Sequence, residues 1–173
     1  MWFIAALTLI LQSTTWVSVN QSTNGFLVPG DTYGAFRGDV FLYGPGGRTH
    51  KFEHSYDLGW RTSELDGECT LLDVSIDLTV EYYLPRWSSY EAAIQEDRAM
   101  YDAFLDERET FLDGYTAIVV ENLDSAANDI MALGSIRCEQ LRDRIGSIIT
   151  PYRREITLEM DAHAANERQM LKL

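Results

Sequence analysis

The sequence predicts an α+β fold, with an N-terminal antiparallel β-sheet followed by a long helix and further helices. Three observations predict it. Residues 17–86 are rich in Gly, Tyr, Val and Thr and repeatedly alternate apolar with polar residues, the period of a strand. At Ser88 the pattern changes to helical spacing and keeps it for most of the remaining chain. Every strand-like segment precedes every helix-like one, which separates this order from an alternating α/β chain.

The elements follow in turn. "VSVNQSTNGFLV" reads as an opening strand. "RGDVFLYGPGGRTH" has strand and turn character, with "YGPGG" a strong turn. In "HKFEHSYDLGW", Phe52, His54, Tyr56, Leu58 and Trp60 occupy every second position, so Phe52, Tyr56 and Trp60 belong on one side of a sheet. "CTLLDVSIDLTVEYYL" places Val74, Ile76, Leu78 and Val80 on one face, and Pro85 is expected to end that strand. Ser88 with Glu91 offers a capping box for a helical pattern reaching about residue 132. Gly114 marks a kink or a close helix contact, and Gly134 a stop. A further helix is expected from about Ser135 to Ile149, then a break at Pro151 and a last helix.

Bulk properties narrow the function. The chain has 173 residues, enough for one domain with a real core. A net charge of −13 argues against nucleic acid, because phosphate binding needs clustered Lys and Arg. It also disfavours anionic membrane surfaces. The apolar run at residues 2–11 is too short to span a bilayer and has the length of a signal-peptide core. The expected organisation is a signal peptide over residues 1–18 and a single domain over 19–173, exported to the periplasm or the exterior. Two cysteines, Cys69 and Cys138, favour a disulfide in an exported chain and two buried thiols in a cytosolic one. A bridge would close a loop of about 70 residues and stabilise by roughly 4 kcal/mol on the chain-entropy model.

Two motifs suggest metal chemistry. His50-Lys51-Phe52-Glu53-His54 spells H-x-x-E-H, which works on a helix, where residues four apart share a face. Here the surrounding period is two, so Glu53 points away from both histidines and the motif is read as strand. The second is "YDAFLDERETFLDGY". On a helical wheel Phe104, Leu105, Phe111, Leu112, Tyr115, Ile118 and Val119 make one apolar arc, with Glu107 at its edge. Asp106, Thr110 and Asp113 lie together on the polar side. From spacing alone this is an acidic helix face. His163 is the only histidine in the C-terminal half.

The order of these pieces resembles a family of exported bacterial proteins catalogued as a domain of unknown function and predicted to be zinc-dependent peptidases. The likeness covers about residues 17–170. Its pieces are "VNQSTNGFLVPG", "YGPGGRTHKFEHSYDLGWR", "GECTLLDVSIDLTVEYYLPRW", the long helix and "IRCEQL". The resemblance implies a zincin-like arrangement and an H-E-x-x-H helix. Its glutamate, the general base, falls on Glu107, its histidines fall on Asp106 and Thr110, and a third ligand falls on His163. It also implies a Cys69–Cys138 bridge. With D-E-R-E-T in place of H-E-x-x-H, the implied protein is a peptidase-like pseudoenzyme without cofactor that binds a protein or peptide partner. Two alternatives stay open. One is an active secreted zinc metallopeptidase in which Asp106 and His163 hold the ion and Glu107 is the base. The other is an acidic structural module. Neither nucleic acid nor stable membrane insertion is expected, and the oligomeric state is left open.

Overall fold

The computed structural model describes residues 16–170, with side chains described through residue 166. The apolar run at 2–11, expected as a signal, lies outside the described residues. Four strands and three helices follow in the order β1 (Val17–Val28), α1 (Tyr33–Tyr43), β2 (Lys51–Leu65), β3 (Glu68–Trp87), α2 (Gln95–Met131), β4 (Ser135–Arg137) and α3 (Cys138–Met170). A short 3₁₀ turn, Tyr90–Ala92, precedes α2. Strands before long helices give α+β, as the sequence implies.

β3 is the centre of the sheet because both of its edges are used. β2 folds back on it as an antiparallel hairpin, from Lys51 opposite Tyr83 to Leu65 opposite Glu68. The hairpin turns through Asp66 and Gly67, both at positive φ, the conformation a two-residue turn between strands requires. β1 pairs with the other edge in parallel, from Val17 opposite Ile76 to Val28 opposite Trp87. β4 continues that edge beside Glu68–Thr70. The sheet is therefore mixed rather than antiparallel. The connection from β1 through α1 returns the chain so that β1 and β3 run the same way.

Alternation decides which face is buried. Val74, Ile76, Leu78, Val80 and Tyr82 of β3 are buried and face the helices. Opposite them on β2 stand Trp60, Leu58, Tyr56, His54 and Phe52, so Phe52, Tyr56 and Trp60 share one side, as their spacing predicts. Against this face α2 lays Phe111, Leu112, Tyr115, Val119, Leu123, Ala126, Ala127 and Ile130, at three- and four-residue steps, and α3 adds Leu141, Ile145, Ile149 and Ile156. A second, mostly aromatic cluster of Val28, Phe36, Val40, Trp87, Tyr101 and Phe104 fastens α1 to the start of α2. The Trp87 indole donates to the Gly30 carbonyl at 2.6 Å, and the Tyr101 hydroxyl to the Pro85 carbonyl at 2.9 Å.

Four local expectations are corrected. Residues 33–43 form a helix, not a strand: the Thr32 hydroxyl caps it by accepting from the Ala35 amide, and Phe36 and Val40, four apart, bury one side. Pro85 does not end β3, which runs on to Trp87. No capping box forms at Ser88; α2 starts at Gln95, behind Ile94, without a side-chain cap. α3 passes through Pro151 unbroken. The proline removes one amide, and nearby hydroxyls engage backbone carbonyls, Thr150 that of Gly146 and Ser147 that of Arg144, each at 2.7 Å.

The Cys69–Cys138 disulfide is present and joins the start of β3 to the start of α3. The Cys138 amide also donates to the Gly67 carbonyl at 3.1 Å. The ordered core reaches back to Trp16, whose backbone amide donates to Asp124 and whose indole donates to Asn128. A boundary after residue 18 would thus fall inside β1. Among the described residues, no helix is long and apolar enough to cross a membrane.

Candidate functional site

The candidate site gathers where the first half of α2 meets the loop before β2 and the far part of α3. α2 brings Glu107, Arg108, Phe111, Gly114 and Tyr115. The turn after α1 brings Arg48, Thr49 and His50. α3 brings His163. The loop is forced tight at Gly44, where a Cβ would lie 1.7 Å from the Arg48 carbonyl oxygen, and Gly46 and Gly47 both take positive φ.

His163 lies flat on Phe111, with ring centroids 4.2 Å apart and planes 14° apart, and meets Tyr115 edge-on at 4.9 Å. Its Nε2 is 2.9 Å from the Phe111 carbonyl oxygen, so Nε2 carries the proton and donates it. Gly114 makes this approach possible: a Cβ there would lie 2.6 Å from His163 Cε1. Of the two readings of Gly114, the close helix contact holds, and α2 runs unbroken through it.

His50 stands on the other flank of the same phenyl ring, its centroid 5.2 Å from that of Phe111. Its Nδ1 is 3.0 Å from the Thr49 hydroxyl. Burial first, then the positive charges of Arg108 and Arg48, push its pKa down to about 4, so the ring is neutral at physiological pH. Arg108 is 1% exposed, lies 5.4 Å from the centroid of the Phe104 ring, and forms an ion pair with exposed Glu107.

The predicted ligand positions are not brought together. Asp106 and Thr110 are exposed on the polar side of α2, with Asp113. The side that meets His163 carries Phe111, Gly114 and Tyr115. Glu107 is exposed and engaged with Arg108. As a donor set for zinc, Asp106, Thr110 and His163 do not fit, because two point to solvent while the third donates inward to a carbonyl. Among the described residues, one group of three His, Cys, Asp or Glu places its ligand atoms within 4.8 Å of one another: Glu64, Cys69 and Cys138. Both of its sulfurs are committed to the bridge.

H-x-x-E-H is likewise divided. His50 precedes β2, His54 lies inside it on the helix-facing side, and Glu53 is exposed on the opposite side. Sequence reasoning missed Arg108 and the role of His50. The signal for Arg108 was its place four residues after Phe104 and three before Phe111, in the middle of the apolar arc.

A cleft of about 450 Å³ opens beside this group, with Arg48, His50, Phe52, Tyr115, Met160 and Asp161 in its walls. Phe41, half exposed, stands at its rim. Its walls are aromatic and apolar, with cationic Arg48 on one side and Asp161 on the other.

A comparison with curated proteins and a comparison with solved structures find no match. Residues 23–169, most of the described fold and all of the candidate site, match the family described as "Bacterial protein of unknown function (DUF922)", and the chain belongs to that family.

Proposed function

We propose that this chain is an exported, non-hydrolysing protein of peptidase-like arrangement that binds a peptide or a protein segment in the cleft between the α1–β2 turn, β2 and α3. The observation that carries the reading is the orientation of α2. Its site-facing side offers His163 a carbonyl, a phenyl ring and a glycine, while Asp106 and Thr110 stand on another side of the helix. An ion held by Asp106 and His163 would need both on one side, so the geometry disfavours the active-metallopeptidase alternative. The disulfide, together with a family match that begins after the first 22 residues, supports export.

The test screens a random peptide library against the oxidised full chain, by fluorescence anisotropy. In parallel, protein substrates are incubated with the chain in the presence of added zinc. The expected result is saturable binding of a subset of peptides, weakened by Phe41→Ser, with no cleavage. Cleavage that depends on zinc and is lost in Glu107→Gln would restore the enzyme reading. Failure of every peptide to bind would leave the acidic structural module.

A further inference from the structure

β2 is the outermost strand of the sheet, and among the described residues β3 is its only strand partner. Its second edge carries a row of backbone donors and acceptors. Such edges are normally blunted by proline, by a bulge or by shortness. From Lys51 to Arg61 the strand has no proline, and its only register shift comes after Arg61.

Two hollows flank the first part of this edge, on opposite faces of the sheet. On the helix-facing side is the cleft already described, whose walls include His50, Phe52, Tyr115 and Met160. On the other side is a groove of about 400 Å³ lined by Glu53, His54, Ser55, Thr79 and Glu81. Glu53 stands directly opposite Glu81 across the two strands. Two positions along, Asp57 stands directly opposite Asp77. Like charges in facing positions destabilise a strand pair, and no fold requirement places them there. A basic side chain between them would turn that repulsion into attraction.

We infer that the free edge of β2 at residues 51–57 accepts an extended peptide as an added strand, one that alternates apolar and basic residues. Successive side chains of a strand point to opposite faces. An apolar residue of the added strand enters the aromatic cleft, and its basic neighbour enters the groove between Glu53 and Glu81. Backbone hydrogen bonds to the edge supply affinity, and the two hollows supply selection. This deepens the peptide-binding reading above and rests on it.

The test uses labelled eight-residue peptides and the oxidised full chain. One alternates Leu with Lys, a second Leu with Glu, a third Gly with Lys. Two further copies of the Leu/Lys peptide carry backbone N-methyl groups at odd or at even positions. The Leu/Lys peptide should bind saturably, with the other two weaker by about tenfold or more. One N-methylated copy should lose binding and the other retain it, because only alternate amides of an added strand face its neighbour. Glu53→Lys should weaken the Leu/Lys peptide and favour Leu/Glu, and Phe41→Ser should weaken both. Equal binding of Gly/Lys would reduce the effect to net charge and overturn the proposal. So would retention of binding by both N-methylated copies. If library peptides bind the cleft while Leu/Lys does not, the edge proposal falls and the cleft reading stands. If nothing binds, both fall.

Discussion

The two halves of α2 do different work on the same sheet. From Val119 to Ile130 the buried positions are Val119, Asn122, Leu123, Ala126, Ala127 and Ile130, and the one polar member, Asn122, is tied to the Ile118 carbonyl and to Glu159 at 3.0 and 2.8 Å. From Tyr101 to Tyr115 the helix buries a guanidinium, three aromatic rings besides Tyr101, and one leucine, and it contacts two histidines from other elements. The first kind of surface is what folding alone asks for. The second carries costs that packing does not require: a charge taken out of water and an imidazole held neutral. Such departures from local economy mark the half in which function is to be sought.

The comparison is sharpened first at the plain end. Leu123→Ala should lower stability by about 2–5 kcal/mol in chemical denaturation, since a fully buried leucine leaves a cavity that neighbours fill only in part. Little change would mean that this half is as adaptable as the other. At the site end, Gly114→Ala should cost about 1–3 kcal/mol by overpacking. It should also move the His163 resonances in NMR, because the new methyl lies where the imidazole lies now. Unmoved His163 signals would place the strain elsewhere.

The third expectation concerns acid. His50 is held neutral when folded, with its pKa lowered to about 4 by burial and by Arg108 and Arg48, while in the unfolded chain it titrates near its ordinary value. Between these values the unfolded chain binds more protons. Its contribution is therefore complete above the unfolded pKa and is lost as pH falls through roughly 6.5 to 4, by an amount on the order of 2 kcal/mol. Comparison with His50→Gln across that range checks it: the variant should show a shallower fall. The smallest effect belongs to the positions aligned with the metal motif. Asp106→Ala and Thr110→Ala, both exposed, should change stability by less than about 0.5 kcal/mol. The pair Asp106→His with Thr110→His should not recruit His163 to zinc, so adding His163→Ala should leave the zinc content of that variant unchanged.

The sheet was legible where one rule acted alone. β2 and β3 alternate strictly because one face meets helices and the other water, so period two is written into the residues. α1 was hidden because Phe, Val and Tyr favour strands, and the stronger local signals were the Thr32 cap and the four-residue step from Phe36 to Val40. The parallel pairing of β1 depends on partners 59 residues away, Ser18 with Asp77 for instance, and no local pattern encodes it. Pro151 was read as a break because the local cost of a missing amide was weighed without the packing that holds α3 to α2. At the site, period two correctly dismissed H-x-x-E-H. The facing of α2 toward His163 depends on how α3 packs, which depends in turn on Gly114 and not on any chemistry-bearing residue.

The bridge between Cys69 and Cys138 has a further consequence for a protein exposed to hostile proteases. It encloses the second half of the central strand, the turn before α2 and all of α2 in one covalent loop. A single cut anywhere in that stretch, for example in the exposed residues just before Gln95, leaves two chains that remain joined. The nicked molecule would keep its mass on a non-reducing gel and separate into fragments only when the sulfurs are reduced. Because the bridge sits at the end of the sheet where β4 is also paired, the pieces would stay aligned along the same strands, and wear in the loops need not mean loss of the fold.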